Sequence, residues 1–156
     1  MSILHPSRST AKQRVLFLCT GNSCRSQMAE AWTRKLWGDR YEAFSAGTAA
    51  KGLDPRAVNA MAEAGVDIRV HKSKTIEALE VDEFDFVVTV CDNARESCPY
   101  FRAKRGLLHA SFEDPPALAA DARSEEEAMA HYRRVRDAIK DFIAGLPATL
   151  QAAAGA

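Results

Sequence analysis

Two short apolar runs, each followed by a cysteine, constrain what this chain can fold into. Residues 14–18 read Arg-Val-Leu-Phe-Leu before Cys19, and residues 84–90 read Phe-Asp-Phe-Val-Val-Thr-Val before Cys91. Both runs are short and contain β-branched and aromatic residues, which is typical of buried strands. Helical patterns alternate with such strands along the chain, so the sequence predicts a parallel sheet covered on both faces.

The fold class predicted from this alternation is α/β, with a four-stranded parallel twisted sheet and helices on both faces. We expect three helices and two further strands, over residues 24–36, 54–64, 125–144, 41–45 and 106–110. Residues 1–13 are polar and are predicted to form a flexible tail. Residues 14–146 are predicted to form one domain, and residues 147–156 a frayed C-terminus.

Charge and composition exclude several classes of protein. The 156 residues contain 21 Lys plus Arg and 21 Asp plus Glu, so the chain lacks the excess positive charge typical of nucleic-acid binders. No apolar run is long enough for a signal peptide or a membrane span. We therefore expect a cytoplasmic location, where grouped cysteines are more often catalytic, redox-active or metal-binding than structural disulfides.

Cys19 and Arg25 frame a C-x5-R segment between the first strand and the following helix. A loop in this position can direct its backbone N–H groups at a tetrahedral oxyanion. Arg25 can bind two oxyanion oxygens, and the same positive field is expected to favour the nucleophilic thiolate of Cys19. We expect the Ser26 hydroxyl to donate to that sulfur. The predicted oxyanion-binding residues are Thr20, Gly21, Asn22, Ser23, Cys24, Arg25 and Ser26.

The run Val-Leu-Phe-Leu-Cys-Thr-Gly-Asn-Ser-Cys-Arg-Ser resembles the phosphate loop of the low-molecular-weight protein tyrosine phosphatases. Its continuation over residues 27–30, Gln-Met-Ala-Glu, is closer to the thioredoxin-coupled arsenate reductase branch of that superfamily. Ser-Ala-Gly-Thr at 45–48 and Phe-Glu-Asp-Pro at 112–115 extend the resemblance over most of residues 14–145. The resemblance implies a phosphatase-like fold, arsenate as the substrate, and phosphate and sulfate as competing oxyanions.

The resemblance also implies a thiol relay. Cys19 attacks arsenate while Asp114, in the matching Asp-Pro, protonates the departing oxygen. Cys91 then attacks Cys19 and arsenite leaves, after which Cys98 attacks Cys91 and thioredoxin reduces the resulting disulfide. If residues 91–98 were helical, the two cysteines would lie about 10 Å apart along the axis, whereas disulfide Cα atoms lie about 4.4–6.8 Å apart. That segment would therefore have to unwind.

Several alternatives remain open on the sequence alone. A low-molecular-weight protein tyrosine phosphatase with a Cys19 phosphoenzyme would use the same Cys19, Arg25 and Asp114. In that enzyme Cys91 and Cys98 would be bystanders or would protect the site against oxidation. A non-catalytic oxyanion-binding or thiol-sensing module is a third reading. The cysteine spacings fit a zinc site poorly because they lack C-x2-C pairs, and no metal or cofactor is predicted. The reductant could be thioredoxin or a glutaredoxin–glutathione system.

Two departures from the family pattern bear on the site. Some members of the family bind potassium near the loop through Asn, Glu, Ser and Asp side chains. Asn22, Glu30 and Ser45 match three of these ligands, but Lys74 stands at the position of the Asp. We therefore expect the Lys74 ammonium to replace the potassium ion. The segment after Asp114 is too rich in proline to be predicted helical. It also lacks the aromatic residues that flank a phosphotyrosine ring in the phosphatases.

Overall fold

The computed structural model describes residues 11–91 and 103–155. Four strands form one sheet: β1 Gln13–Cys19, β2 Tyr41–Gly47, β3 Phe84–Thr89 and β4 Ala103–His109. Their order is β2-β1-β3-β4 and every pair is parallel. The predicted four-stranded parallel α/β sheet is confirmed.

Within residues 11–91 and 103–155, five α-helices and one 3₁₀ turn accompany the sheet: α1 Arg25–Trp37, α2 Pro55–Glu63, 3₁₀ Ile76–Ala78, α3 Pro115–Ala119, α4 Glu125–Ala144 and α5 Leu146–Gly155. Helix α2 begins after Asp54, whose side chain accepts a hydrogen bond from the Arg56 N–H at 2.9 Å. Helix α4 begins after Ser124, which accepts from the Glu127 N–H at 3.1 Å. Side-chain acceptors at these positions satisfy N–H groups that the helix itself leaves unpaired. None of the helices in the described part of the chain has the length and apolar character to cross a membrane.

The central strand β1 lies in the core. Val15, Leu16 and Phe17 are fully buried and Leu18 is 1% exposed. Because successive strand residues point to opposite faces, both faces of β1 are covered. Cys19 pairs in register with Gly47 of β2, and the Val90 N–H donates to the Leu18 carbonyl at 2.9 Å. The carboxyl edge of the sheet therefore brings Cys19 and Cys91 together.

Two predictions for the second half of the chain are wrong. Residues 147–155 are helical rather than frayed, because Leu146 and Leu150 are buried and Ala153 packs against Gly106 of β4. The proline-rich segment after Asp114 begins the short helix α3. Prolines are accommodated there because the first helical N–H groups need no intrahelical partner.

Candidate active site

The loop between β1 and α1 is organised around Asn22. This residue is fully buried and has a φ of 48°, the left-handed conformation that asparagine adopts more readily than most residues. Its Nδ2 donates to the Ser26 hydroxyl at 2.9 Å and to the Ser45 hydroxyl at 3.0 Å. Its Oδ1 accepts from Gln27 Nε2 and from the Lys74 N–H, each at 2.9 Å. One side chain thus ties the loop to α1, to β2 and to the segment before the 3₁₀ turn.

The segment that follows β2 runs beside this loop. The Thr48, Ala49 and Lys51 N–H groups donate to the carbonyls of Cys19, Thr20 and Gly21 at 3.3, 2.9 and 3.0 Å. These bonds orient the loop carbonyls towards β2. They leave the other side of the loop available to a ligand.

A partly buried pair of hydrogen bonds also connects the loop to α4. The Asp54 N–H donates to the Ser23 carbonyl at 3.0 Å, and the Tyr132 hydroxyl of α4 donates to Asp54 Oδ2 at 2.6 Å. Burial, followed by the hydrogen bond to Asp54, raises the pKa of the Tyr132 hydroxyl. The sequence identified Asp54 only as a helix cap and Tyr132 only as a core residue, because their contact joins positions 78 residues apart.

Arg25 is the first residue of α1 and reaches over the loop. One of its terminal nitrogens donates to the Phe112 carbonyl at 3.0 Å, and the other lies 3.4 Å from the Asp114 carboxylate. Its Nε is buried and has no hydrogen-bond partner within the described residues. A buried N–H donor without a partner is costly. An oxyanion oxygen is the kind of acceptor that would satisfy it.

A cavity of about 280 Å³ lies in front of the loop. Its lining is formed by Cys19, Thr20, Gly21, Ser23, Cys24, Arg25, Lys51, Asp114 and Pro116. The structure therefore brings the predicted nucleophile, arginine and acid to one small cavity. Asn22 and Ser26 act through the hydrogen-bond network behind it. Lys51 was not among the predicted residues, because nothing in its local sequence distinguishes it from a solvated surface lysine.

Cys91 lies beside Cys19 at the edge of this site. The Cys91 sulfur is 3.4 Å from the Thr20 hydroxyl, and its thiol is close enough to that of Cys19 to raise the Cys19 pKa. A second cavity of about 500 Å³ is lined in part by Cys91, Arg25 and Asp114. Cys98 and the rest of the predicted relay segment lie outside the described residues.

The predicted effect of the loop on Cys19 is opposed by a contact that the sequence did not reveal. The hydrogen bond with Cys91 and then burial raise the pKa of the Cys19 thiol, whereas the Arg25 charge and the Ser26 N–H lower it. Arg25 therefore acts in the predicted direction, but the contact with Cys91 and burial outweigh it, and the net direction in the ligand-free protein is upward. The Ser26 group that bonds the sulfur is its backbone N–H, and the Ser26 hydroxyl accepts a hydrogen bond from Asn22 Nδ2. Burial, followed by the charge of Asp54, also raises the pKa of the Cys24 thiol.

The residues that match the family's potassium ligands form hydrogen bonds and an ion pair within the protein. The Ser45 hydroxyl donates to the Glu30 carboxylate at 2.6 Å, and Arg34 pairs with the same carboxylate at 2.7 Å. The Lys74 ammonium donates instead to the Lys72 carbonyl at 2.9 Å. The cation in contact with Glu30 is therefore Arg34, whose four-residue spacing on α1 is a signal that the sequence contained. Over residues 11–91 and 103–155, no three His, Cys, Asp or Glu side chains are grouped to hold a metal ion.

Comparisons with known proteins agree with this geometry. The family model described as low molecular weight phosphotyrosine protein phosphatase matches residues 14–155. A curated arsenate reductase from Halalkalibacterium halodurans is 45% identical over 128 residues, which cover 82% of this chain and 90% of that protein. The arsenate reductase of Bacillus subtilis is 45% identical over 125 residues, which cover 80% of this chain and 88% of that protein.

The solved structures agree as well. One described as an arsenate reductase in the phosphate binding state has a TM-score of 0.74 and 28% identity, covering 88% of this chain and 98% of that one. Fold, site geometry and sequence identity therefore point to one conclusion. The chain belongs to the low molecular weight phosphotyrosine protein phosphatase family, in which the curated relatives described above are arsenate reductases.

Proposed function

We propose that this protein reduces arsenate to arsenite, with Cys19 as the nucleophile and Cys91 and then Cys98 as resolving thiols. The observation that carries the proposal is the position of Cys91. It follows the strand next to that of Cys19, and its sulfur lies 3.4 Å from the hydroxyl of Thr20, which lines the oxyanion cavity. A phosphatase needs one thiol at this point, whereas reduction of arsenate needs two electrons, which two thiols supply by forming a disulfide. The reaction belongs in the cytoplasm, where thiols are kept reduced.

In the first step the oxyanion occupies the cavity and accepts hydrogen bonds from the Arg25 guanidinium. Arsenate then competes with the Asp114 carboxylate, 3.4 Å from the guanidinium, and accepts a hydrogen bond from the unpartnered Nε. The Cys19 sulfur attacks arsenic and forms an S–As bond. Asp114, in its protonated form, protonates the departing oxygen, which leaves as water; a positioned acid accelerates such a step about 10²–10⁴-fold.

In the second step two electrons pass from the thiols to arsenic. Cys91, as a thiolate, attacks the Cys19 sulfur and forms an S–S bond. The electron pair of the broken S–As bond remains on arsenic, which changes from As(V) to As(III) and leaves as arsenite. Cys98 then attacks the Cys91 sulfur, which regenerates the Cys19 thiolate and leaves a Cys91–Cys98 disulfide. A dithiol of the thioredoxin type reduces that disulfide and completes the cycle.

Arsenite release per protein chain tests this order of thiols. In the absence of external reductant, the C98S variant is expected to release one arsenite per chain and stop with Cys19 joined to Cys91. The C91S variant is expected to release none. With reduced thioredoxin present, only the wild type should turn over repeatedly. Sustained turnover by C98S would refute the three-thiol relay, and one arsenite per chain from C91S would refute the role of Cys91.

Phosphate-ester hydrolysis provides the internal control. It requires the same Cys19, Arg25 and Asp114, and the family description favours it as the second candidate activity. Hydrolysis of p-nitrophenyl phosphate should survive in C91S and C98S if both variants are folded. An arsenate-inactive wild type that hydrolyses this ester efficiently would favour the phosphatase alternative.

A further inference from the structure

The Lys51 side chain lies across the oxyanion loop. Its N–H donates to the Gly21 carbonyl at 3.0 Å, and its aliphatic stem packs over Gly21, so that a β-carbon added to Gly21 would lie 3.0 Å from Lys51 Cδ. From this anchored position the side chain lines the 280 Å³ cavity together with Cys19 and Arg25. The absence of a side chain at Gly21 is what allows this close approach.

The charges that line this cavity do not balance in the ligand-free protein. The charged side chains are those of Arg25, Lys51 and Asp114. Asp114 lies against the Arg25 guanidinium and offsets its charge, whereas Lys51 forms no ion pair with any residue in the described part of the chain. The uncompensated positive charge of the cavity therefore belongs to Lys51.

A positive charge at this position would reduce the repulsion between the Cys19 thiolate and an anionic substrate. A doubly charged oxyanion that meets the Cys19 thiolate brings three negative charges together, and Arg25 with the loop N–H groups supplies one full positive charge and several partial ones. A second cation at the rim reduces the repulsion between nucleophile and substrate. It does so without blocking the floor of the cavity, because the lysine itself is exposed.

We propose that Lys51 is a specificity-determining residue that attracts and holds doubly charged inorganic oxyanions at the mouth of the cavity. This inference rests on the proposed function for the identity of the substrate, but not for the binding of an oxyanion. The effect on binding is a charge effect. An arginine at this position should therefore preserve it, and a neutral side chain of similar length should not.

Equilibrium binding of inorganic phosphate, measured by calorimetry, tests the proposal independently of arsenate reduction. At low ionic strength we expect K51M to raise the phosphate Kd and the arsenate KM about three- to tenfold. The attraction between two exposed opposite charges increases affinity about a few-fold, and the ligand carries two negative charges. K51R should stay within about twofold of the wild type. The difference between K51M and wild type should shrink in about 0.5 M salt, where charges at this range are screened.

K12M is the matched control, since Lys12 is also exposed but precedes β1 at the opposite edge of the sheet. K51Q serves as a second neutral variant should K51M be poorly folded. A phosphate Kd for K51M and K51Q that equals that of K12M would overturn the proposal. Weaker phosphate binding by K51M in a protein that does not reduce arsenate would refute the proposed function and leave the role of Lys51 supported.

Discussion

Replacement of Gly47 by alanine is the most direct test of how the sheet shapes the oxyanion loop. An alanine β-carbon at this position would lie 2.6 Å from the Ala49 carbonyl oxygen, 2.7 Å from the Thr20 carbonyl oxygen and 2.8 Å from the Asn22 nitrogen. All three contacts are to backbone atoms and all are shorter than real β-carbon contacts. The neighbouring backbone must therefore move, and two of the three neighbours belong to the loop.

The size of the effect follows from the displacement. Restoring ordinary contacts of 3.4 Å requires a shift of about 0.6–0.8 Å. Overpacking of a closely packed site costs about 1–3 kcal/mol. A misplacement approaching 1 Å reduces catalytic rates by about 100-fold, so we expect G47A to lower kcat/KM for arsenate about 10- to 100-fold. The phosphate Kd should rise in parallel, and urea denaturation should show the loss of stability.

G145A is the control for this experiment, because nothing lies closer than 3.9 Å to a β-carbon at Gly145. It should change the free energy of unfolding by less than about 0.5 kcal/mol. A G47A protein with wild-type phosphate affinity and wild-type kcat/KM would show that the loop does not depend on the close approach of β2. Loss of stability with unchanged phosphate affinity would place the displacement in Ala49 rather than in the loop.

Substitutions at three further positions test separate parts of the site. Asn22→Ala should destabilise the fold by about 1 kcal/mol more than Asn22→Gly, because both variants lose the same side-chain hydrogen bonds but only alanine is strained at a φ of 48°. Equal free energies of unfolding for the two variants in urea would contradict this. Tyr132→Phe should lower the free energy of unfolding by about 1–3 kcal/mol, because Asp54 Oδ2 loses the hydroxyl that donates to it. The Tm should fall by several degrees, and an unchanged Tm would argue against this hydrogen bond. Cys91→Ala removes the largest effect that raises the pKa of Cys19, so the pH profile of Cys19 alkylation should move to lower pH; an unmoved profile would refute the thiol–thiol contact.

The secondary structure was largely predictable because its determinants are local. The apolar runs before Cys19 and Cys91 and the caps of α2 and α4 are properties of neighbouring residues. Helix α5 was not predicted, because its alanine-rich sequence shows no polar face and its stability depends on the contact with Gly106. The ion pair between Arg34 and Glu30 was not predicted, because the family pattern places the group next to Glu30 at position 74 rather than on α1.

The C-x5-R segment between a strand and a helix is enough to predict an oxyanion-binding loop with Cys19 and Arg25 at its ends, because a loop that leads into a helix N-terminus can direct its N–H groups at one anion. Only the tertiary structure decided what surrounds that loop. The contact of Cys91 with Cys19, together with burial, outweighs the effect of Arg25 on the Cys19 pKa, and the anchoring of Lys51 over Gly21 adds a charge to the cavity. Both contacts join residues about 30 to 70 positions apart, and such contacts are set by the parallel register of β1 with β2 and β3 rather than by any local pattern.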